Sequence, residues 1–184
     1  MSIKELKSFL KKENEKIKEV TEEIDWGKQK NEWLDHVNFF YSSVQLWLNP
    51  LIDEGAVNIT FEEINLIEDY IGSYTLKKMI IKLAGKEVVL IPIGSLLIGT
   101  KGRIDMEGSA GKVQFLLADK DSSGIKVTVK INSINGEKES KDPEGKKKEI
   151  EWTWKMVRRG ANRIQFDDFN EDNFSSALME VMGG

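Results

Sequence analysis

The sequence predicts an α+β protein. N-terminal amphipathic helices, paired as a helical hairpin or coiled coil, precede a largely antiparallel β-sheet or partial barrel, and a short C-terminal helix closes the chain. Three observations predict this. Apolar residues at the N-terminus recur at steps of three and four. From Ala56 onward they alternate with polar ones. After Asn170 the helical spacing returns.

The first helix rests on Ile3, Leu6, Leu10, Ile17, Val20 and Ile24, an a/d pattern interrupted at Glu13 and set among Lys and Glu. A stripe this narrow suits one helical neighbour, either another chain or, by folding back, Trp33, Phe40 and Trp47 of the same chain. Asp25-Trp26-Gly27 offers a stop, since glycine readily closes a helix. The second helix has a wider stripe of Trp33, Leu34, Val37, Phe40, Tyr41, Val44, Trp47, Leu48 and Leu51. Trp26, Trp33, Phe40 and Trp47 recur every seven residues along it. It is expected to end near Asn49-Pro50, because the residue before proline avoids the α region.

Strands are expected near 57–67, 73–83, 87–93, 102–107, 112–118, 125–131, 150–156 and 163–166. The clearest are Ile125, Val127, Val129 and Ile131 alternating with Lys and Thr, and Ile150, Trp152, Trp154 and Met156 alternating with Glu151, Thr153 and Lys155. Residues 132–149 read as a charged loop. Asn170 caps a last helix whose inner face is Phe174, Ala177, Leu178 and Val181, with Gly183 after it. The chain divides into a helical region, 1–52, and a β-rich body with its C-terminal helix, 56–184, as one continuous folding unit.

Composition narrows the function classes. The 184 residues contain no cysteine and one histidine, His36, which removes most thiol, nucleophilic and zinc chemistry. The N-terminus is too charged for a secretory signal, and no apolar run approaches the ~20 residues that span a bilayer. A soluble cytoplasmic protein without membrane contact is expected. Charge is uneven. Residues 1–72 carry 15 acidic and 8 basic side chains, whereas residues 146–163 carry Lys146, Lys147, Lys148, Lys155, Arg158, Arg159 and Arg163 against Glu149 and Glu151. The basic stripe could meet nucleic acid or an acidic partner; a solvated hairpin is the simpler account.

The chemical motifs each lack a member. Gly94-Ser-Leu-Leu-Ile-Gly99-Thr-Lys101 has its lysine out of place for a phosphate loop. Ile98-Gly99-Thr100-Lys101-Gly102 is similar to the GXXG loop of KH domains but sits between strands rather than helices; a glycine-rich turn is the better reading. Asp105, Glu107 and Gln114 lack the second carboxylate and the lysine of a nuclease-type metal core, and a charged turn is expected there. Asp119 to Gly124 opens like a calcium loop without the closing glutamate. Tyr74 and Lys78 have the spacing of a dehydrogenase pair but no dinucleotide turn beside them. His36 has no partner in sequence.

These readings lead to a non-enzymatic protein–protein interaction or assembly module, an adaptor or regulatory subunit of a cytoplasmic complex, with no cofactor, metal or catalytic residue. Its contact residues are Ile3, Leu6, Leu10, Ile17, Val20, Ile24, Trp26 and Trp33, and its partner is another protein or a second copy in a homo-oligomer. The alternative is a nucleic-acid-binding accessory protein using Lys146, Lys147, Lys148, Arg158, Arg159 and Arg163. A carboxylate-based metal-dependent hydrolase ranks last.

Overall fold

The computed structural model describes residues 3–22, 24–95, 100–121, 150–159 and 164–184. Two N-terminal helices, α1 (Ile3–Glu22) and α2 (Trp26–Asp53), precede seven strands. These are β1 (Val57–Glu68), β2 (Gly72–Leu83), β3 (Lys86–Gly94), β4 (Arg103–Gly108), β5 (Gly111–Asp119), β6 (Trp152–Arg159) and β7 (Ile164–Asp168). Helix α3 (Glu171–Met182) follows. Each strand pairs antiparallel with the next, so the sheet is an open meander in chain order. The expected strand at 125–131 lies outside the described residues.

Alternation decides which face is buried. Met79, Ile81, Val88, Leu90, Ile104, Met106, Phe115, Leu117, Trp154 and Met156 all point to one side, and α2 and α3 cover that side. The alternation slips within β2, where Tyr74 and Leu76 are buried and then Met79 and Ile81, with Lys77 and Lys78 between. At that slip the Tyr41 hydroxyl donates to the Lys77 carbonyl at 2.7 Å, tying α2 to the strand. The β2–β3 turn is Ala84-Gly85, both at positive φ, the geometry that matches the twist of a two-residue hairpin.

Helix α2 buries Trp33, Val37, Phe40, Tyr41, Val44 and Leu48, a stripe at helical spacing. Phe40 is the hub of an aromatic cluster. It stacks on Phe169 at 4.3 Å between centroids and meets Trp154 and Phe115 edge-on at 5.1 Å each. The Trp154 indole donates to the His36 carbonyl at 3.0 Å. Helix α3 matches its expectation. The Asn170 side chain accepts from the Asn173 amide at 2.9 Å, Gly183 takes the left-handed conformation, and Phe174, Ala177, Leu178 and Val181 are buried. Gly108 lets α3 come this close, since a Cβ there would stand 2.4 Å from the Val181 carbonyl oxygen.

Two helix boundaries differ from expectation. Gly27 does not close α1; it is the second residue of α2, and Asp25 caps that helix by accepting from the Lys28 amide at 2.9 Å. Pro50 does not end α2, which continues to Asp53. Pro50 and Leu46 are both exposed, so the carbonyl that loses its partner lies on the side where water can serve it.

Candidate interaction surface

Among the described residues no other element packs along α1. On its first turns Ile3 is 86% exposed, Leu6 47%, Phe9 59% and Leu10 51%. Phe9 was not among the expected contact residues because it falls at a heptad g position. On a wheel of ~100° per residue it nevertheless joins the a/d residues within an arc of about 120°. Helical spacing read without a heptad frame would have found it. Glu13, the interruption in the stripe, accepts from Lys16 at 2.9 Å. Ile17 and Val20 lie within the helix span, though their side chains are outside what is described. Ile24 is half-buried at the junction with α2.

Trp33, Phe40 and Trp47 do not receive α1, since the sheet and α3 occupy them. The expectation that Trp33 is a contact residue is corrected by its burial, 1% exposed. Its ring lies so close to the chain at Gly102 that a Cβ there would sit 2.2 Å from it. That approach explains the second glycine of the Gly99–Gly102 segment without any ligand. Lys101 and Gly102 are pinned to β5 as well, with the Lys101 amide donating to the Leu117 carbonyl at 2.9 Å and the Leu117 amide to the Gly102 carbonyl at 2.8 Å. Trp26 is half-buried and stacks on Tyr70 at 5.1 Å, bracing the start of α2 against the β1–β2 turn.

The described part of the basic stripe is largely neutralised. Lys155 is buried and donates to Asp168 at 2.6 Å, and Arg158 donates to Asp167 across β6–β7. Lys146, Lys147, Lys148 and Arg163 lie outside the described residues, as does the Arg159 side chain.

Asp105 and Glu107 sit on strand β4, not in a turn, with Gln114 opposite Asp105 on β5. Asp105 is 1% exposed and accepts two bonds from Arg103, at 2.6 and 2.7 Å, and one from Lys112 at 3.1 Å; Lys112 also reaches Glu107 at 2.6 Å. The hydrogen bond to Asp105 holds the Arg103 pKa above its ordinary value, and those to Glu107 and then Asp105 do the same for Lys112. A carboxylate held this way is an internal counter-ion. Among the described residues no group of three or more acidic or histidine side chains is placed to hold a metal.

One further polar cluster lies beside Trp33. The Glu68 carboxylate accepts from the Tyr74 hydroxyl and from the Ser95 amide at 2.8 Å. Burial, and then the bond to Glu68, raise the Tyr74 pKa, so the phenol stays protonated. Lys78, its proposed dehydrogenase companion, instead pairs with Glu62 at 2.8 Å. His36 is half-buried. Burial first, and Lys101 second, lower its pKa below 6.5. No described helix is long and apolar enough to cross a membrane.

No protein family, curated protein or solved structure matches the chain.

Proposed function

We propose that the chain is a non-enzymatic protein–protein interaction or assembly module, an adaptor or regulatory subunit of a cytoplasmic complex, and that α1 is its contact element. The exposed apolar face of α1 carries this reading. A helix of 20 residues whose described apolar side chains all stand exposed is marginal in water, because most helical stability in proteins comes from packing an apolar face. Ile3, Leu6, Phe9 and Leu10 share one face with no element of the body packed along it. A second helix laid on that stripe in the coiled-coil manner would stabilise α1 by several kcal/mol, at about 25 cal/mol per Å² of apolar surface removed from water.

The body provides an independent foundation. Its core is closed by α2, α3 and the sheet, so α1 can be altered without opening it. Leu10→Glu with Ile17→Glu should therefore abolish partner capture from the native host, read by mass spectrometry against wild type. The circular-dichroism melt of the body should stay cooperative and unshifted. Loss of the melt in the double variant would make α1 part of the folding core and end this reading.

A further inference from the structure

Among the described residues, neighbouring strands part at two places while both run on, and one of the two gaps is filled. Beyond Met79–Leu90 the strands β2 and β3 diverge, and Tyr41 enters from α2. Its hydroxyl donates to the Lys77 carbonyl at 2.7 Å and lies 3.4 Å from the Leu90 carbonyl. Beyond Phe115–Met156 the strands β5 and β6 diverge in the same way, although β5 reaches back to Gly111 and β6 runs on to Arg159. No described side chain bonds into this second gap as Tyr41 does into the first. A cavity of about 560 Å³ stands there, lined by both strands and by Ser176, Ala177 and Glu180 of α3.

Strand alternation fixes which backbone groups face the gap. The Leu117 amide donates to Gly102 and its carbonyl accepts from Lys101, both on the β4 side. The amides and carbonyls of Gln114 and Lys112, at odd offsets from Leu117, therefore face the β6 side. Across the gap the Lys120 amide donates to the Glu151 carbonyl, so Val157 and Arg159, at even offsets from Glu151, face β5. Gln114 with Val157, and Lys112 with Arg159, are the next hydrogen-bonded pairs in this register, and neither forms. Among the described residues no hydrogen bond reaches these groups from the gap side. Both edges are held in place. Strand β4 pairs with β5 as far as Gly111, the Ala110 amide on their turn donates to the Val181 carbonyl at 2.8 Å, and β7 pairs with β6 as far as Arg159.

We propose that this gap binds an extended segment of another protein, which enters as an added strand between β5 and β6. A strand carries amides and carbonyls alternately to both sides, so it can pair with two facing edges at once. An anion would meet the amides but also the carbonyls and Glu180, and an apolar molecule would leave the edges unpaired. The open stretch of β5, Gly111–Gln114, is about 13 Å long and takes about four residues. The residue beside Val113 turns towards α3, where Val113, Met156 and Ala177 are buried, so an apolar side chain flanked by polar ones fits best. The β5–β6 connection departs at Asp119 and returns at Trp152, the closed end of the pair. The mouth lies at the other end, past Gly111 and Arg159, where a segment from outside can enter. This site is separate from α1 and does not rest on α1 being a contact element.

The test is nuclear magnetic resonance of the isotope-labelled full chain with a capped peptide, acetyl-Thr-Val-Thr-Val-Thr-Val-amide, as the probe. In the free chain, hydrogen exchange at the Gln114 and Val157 amides should be fast and that at Phe115 and Leu117 slow. Peptide at millimolar concentration should shift the Gln114 and Val157 signals and slow their exchange about tenfold. A peptide N-methylated at alternate residues loses its donors to one edge and should do neither. Gln114→Pro removes an amide that faces the gap alone, so the β4–β5 ladder is kept while peptide binding is lost. If that variant fails to fold, the N-methylated peptide tests the same bonds on the unaltered chain. Leu10→Glu with Ile17→Glu should leave peptide binding unchanged, so failure of this site and failure of the α1 reading are told apart. Slow exchange at Gln114 and Val157 in the free chain would mean that the gap is filled from within. That result, protection that grows with protein concentration, no shift with peptide, or equal shifts with the N-methylated peptide would each overturn the proposal.

Discussion

Helices α1 and α2 are neighbours in sequence and both amphipathic, yet α2 buries a stripe along its length while the described apolar side chains of α1, Ile3, Leu6, Phe9 and Leu10, stand exposed. The difference lies in what each stripe offers. Helix α2 presents Trp33, Phe40 and Tyr41 among Val37, Val44 and Leu48, large rings that reach across the ~10 Å gap between a helix and a sheet and interlock with Phe115, Trp154 and Phe169. Helix α1 offers mostly aliphatic side chains, broken by Glu13 and crowded by lysine and glutamate. Such a stripe meshes with another helix but would leave a sheet face poorly filled. The sheet's inner face is in any case already taken by α2 and α3. Side-chain bulk, more than hydrophobicity, sorts the two helices.

The largest effects should appear when α2's anchor is removed. Trp33→Ala deletes a fully buried ring and should destabilise the body by about 3–5 kcal/mol in denaturant titration. Gly102→Ala attacks the same contact from the other side. With the new methyl only 2.2 Å from the Trp33 ring, the cost should be about 1–3 kcal/mol. A comparable truncation on α1, Leu6→Ala, should leave the unfolding midpoint of dilute protein within about 0.5 kcal/mol of wild type. Equal losses at Leu6 and Trp33 would erase the contrast between the helices.

A smaller effect sharpens the contrast between the sheet's two faces. On the side away from α2, Asp105 is a buried carboxylate whose cations remain partly in solvent, Arg103 at 29% and Lys112 at 45% side-chain exposure. Removing the cation is therefore worse than removing the anion. Arg103→Met strands a buried charge with Lys112 alone and should cost about 2–3 kcal/mol. Asp105→Asn leaves Arg103 to water and Lys112 to Glu107, and should cost about 1–2 kcal/mol. A denaturation series with the opposite ranking would show that Asp105 does not depend on Arg103.

Much of the fold was legible in the sequence, and each success traces to a local signal. Alternation places the strands because a sheet with one buried face needs period two, and the Asn170 cap with Gly183 marks α3 because both act within one turn. The errors arose where a local rule met a wider context. Pro50 signals a stop locally, but its exposed side lets water replace the lost bond. Nearness to α1 in sequence places Trp33 with the contact residues, whereas its ring packs against Gly102, far along the chain. Asp105 read as a turn residue because nothing near it in sequence reveals that Lys112, on the next strand, folds over it. The contact face was legible as a heptad, and Phe9 was missed only because the frame was too strict.

The smallest expected effect concerns pH, and it separates the sheet-side of α2 from its solvent side. His36 sits half-buried between the Trp33 and Phe40 turns of α2, with burial and then Lys101 disfavouring its charged form, while Glu32 and Asp35 oppose that trend. Its pKa in the folded chain lies below 6.5, the value it regains on unfolding. Near and below pH 6.5 the unfolded chain therefore takes up a proton that the folded chain resists. Stability contributed by neutral His36 is fully present above that pH, declines as pH falls through the window between the two pKa values, and is gone below the folded one. His36→Gln should flatten this decline without changing stability at pH 8. Denaturation of wild type and variant in parallel between about pH 5 and 8 checks it. A decline of the same steepness in both proteins would assign the acid sensitivity to the carboxylates, and would leave His36 a bystander on the solvent side of α2.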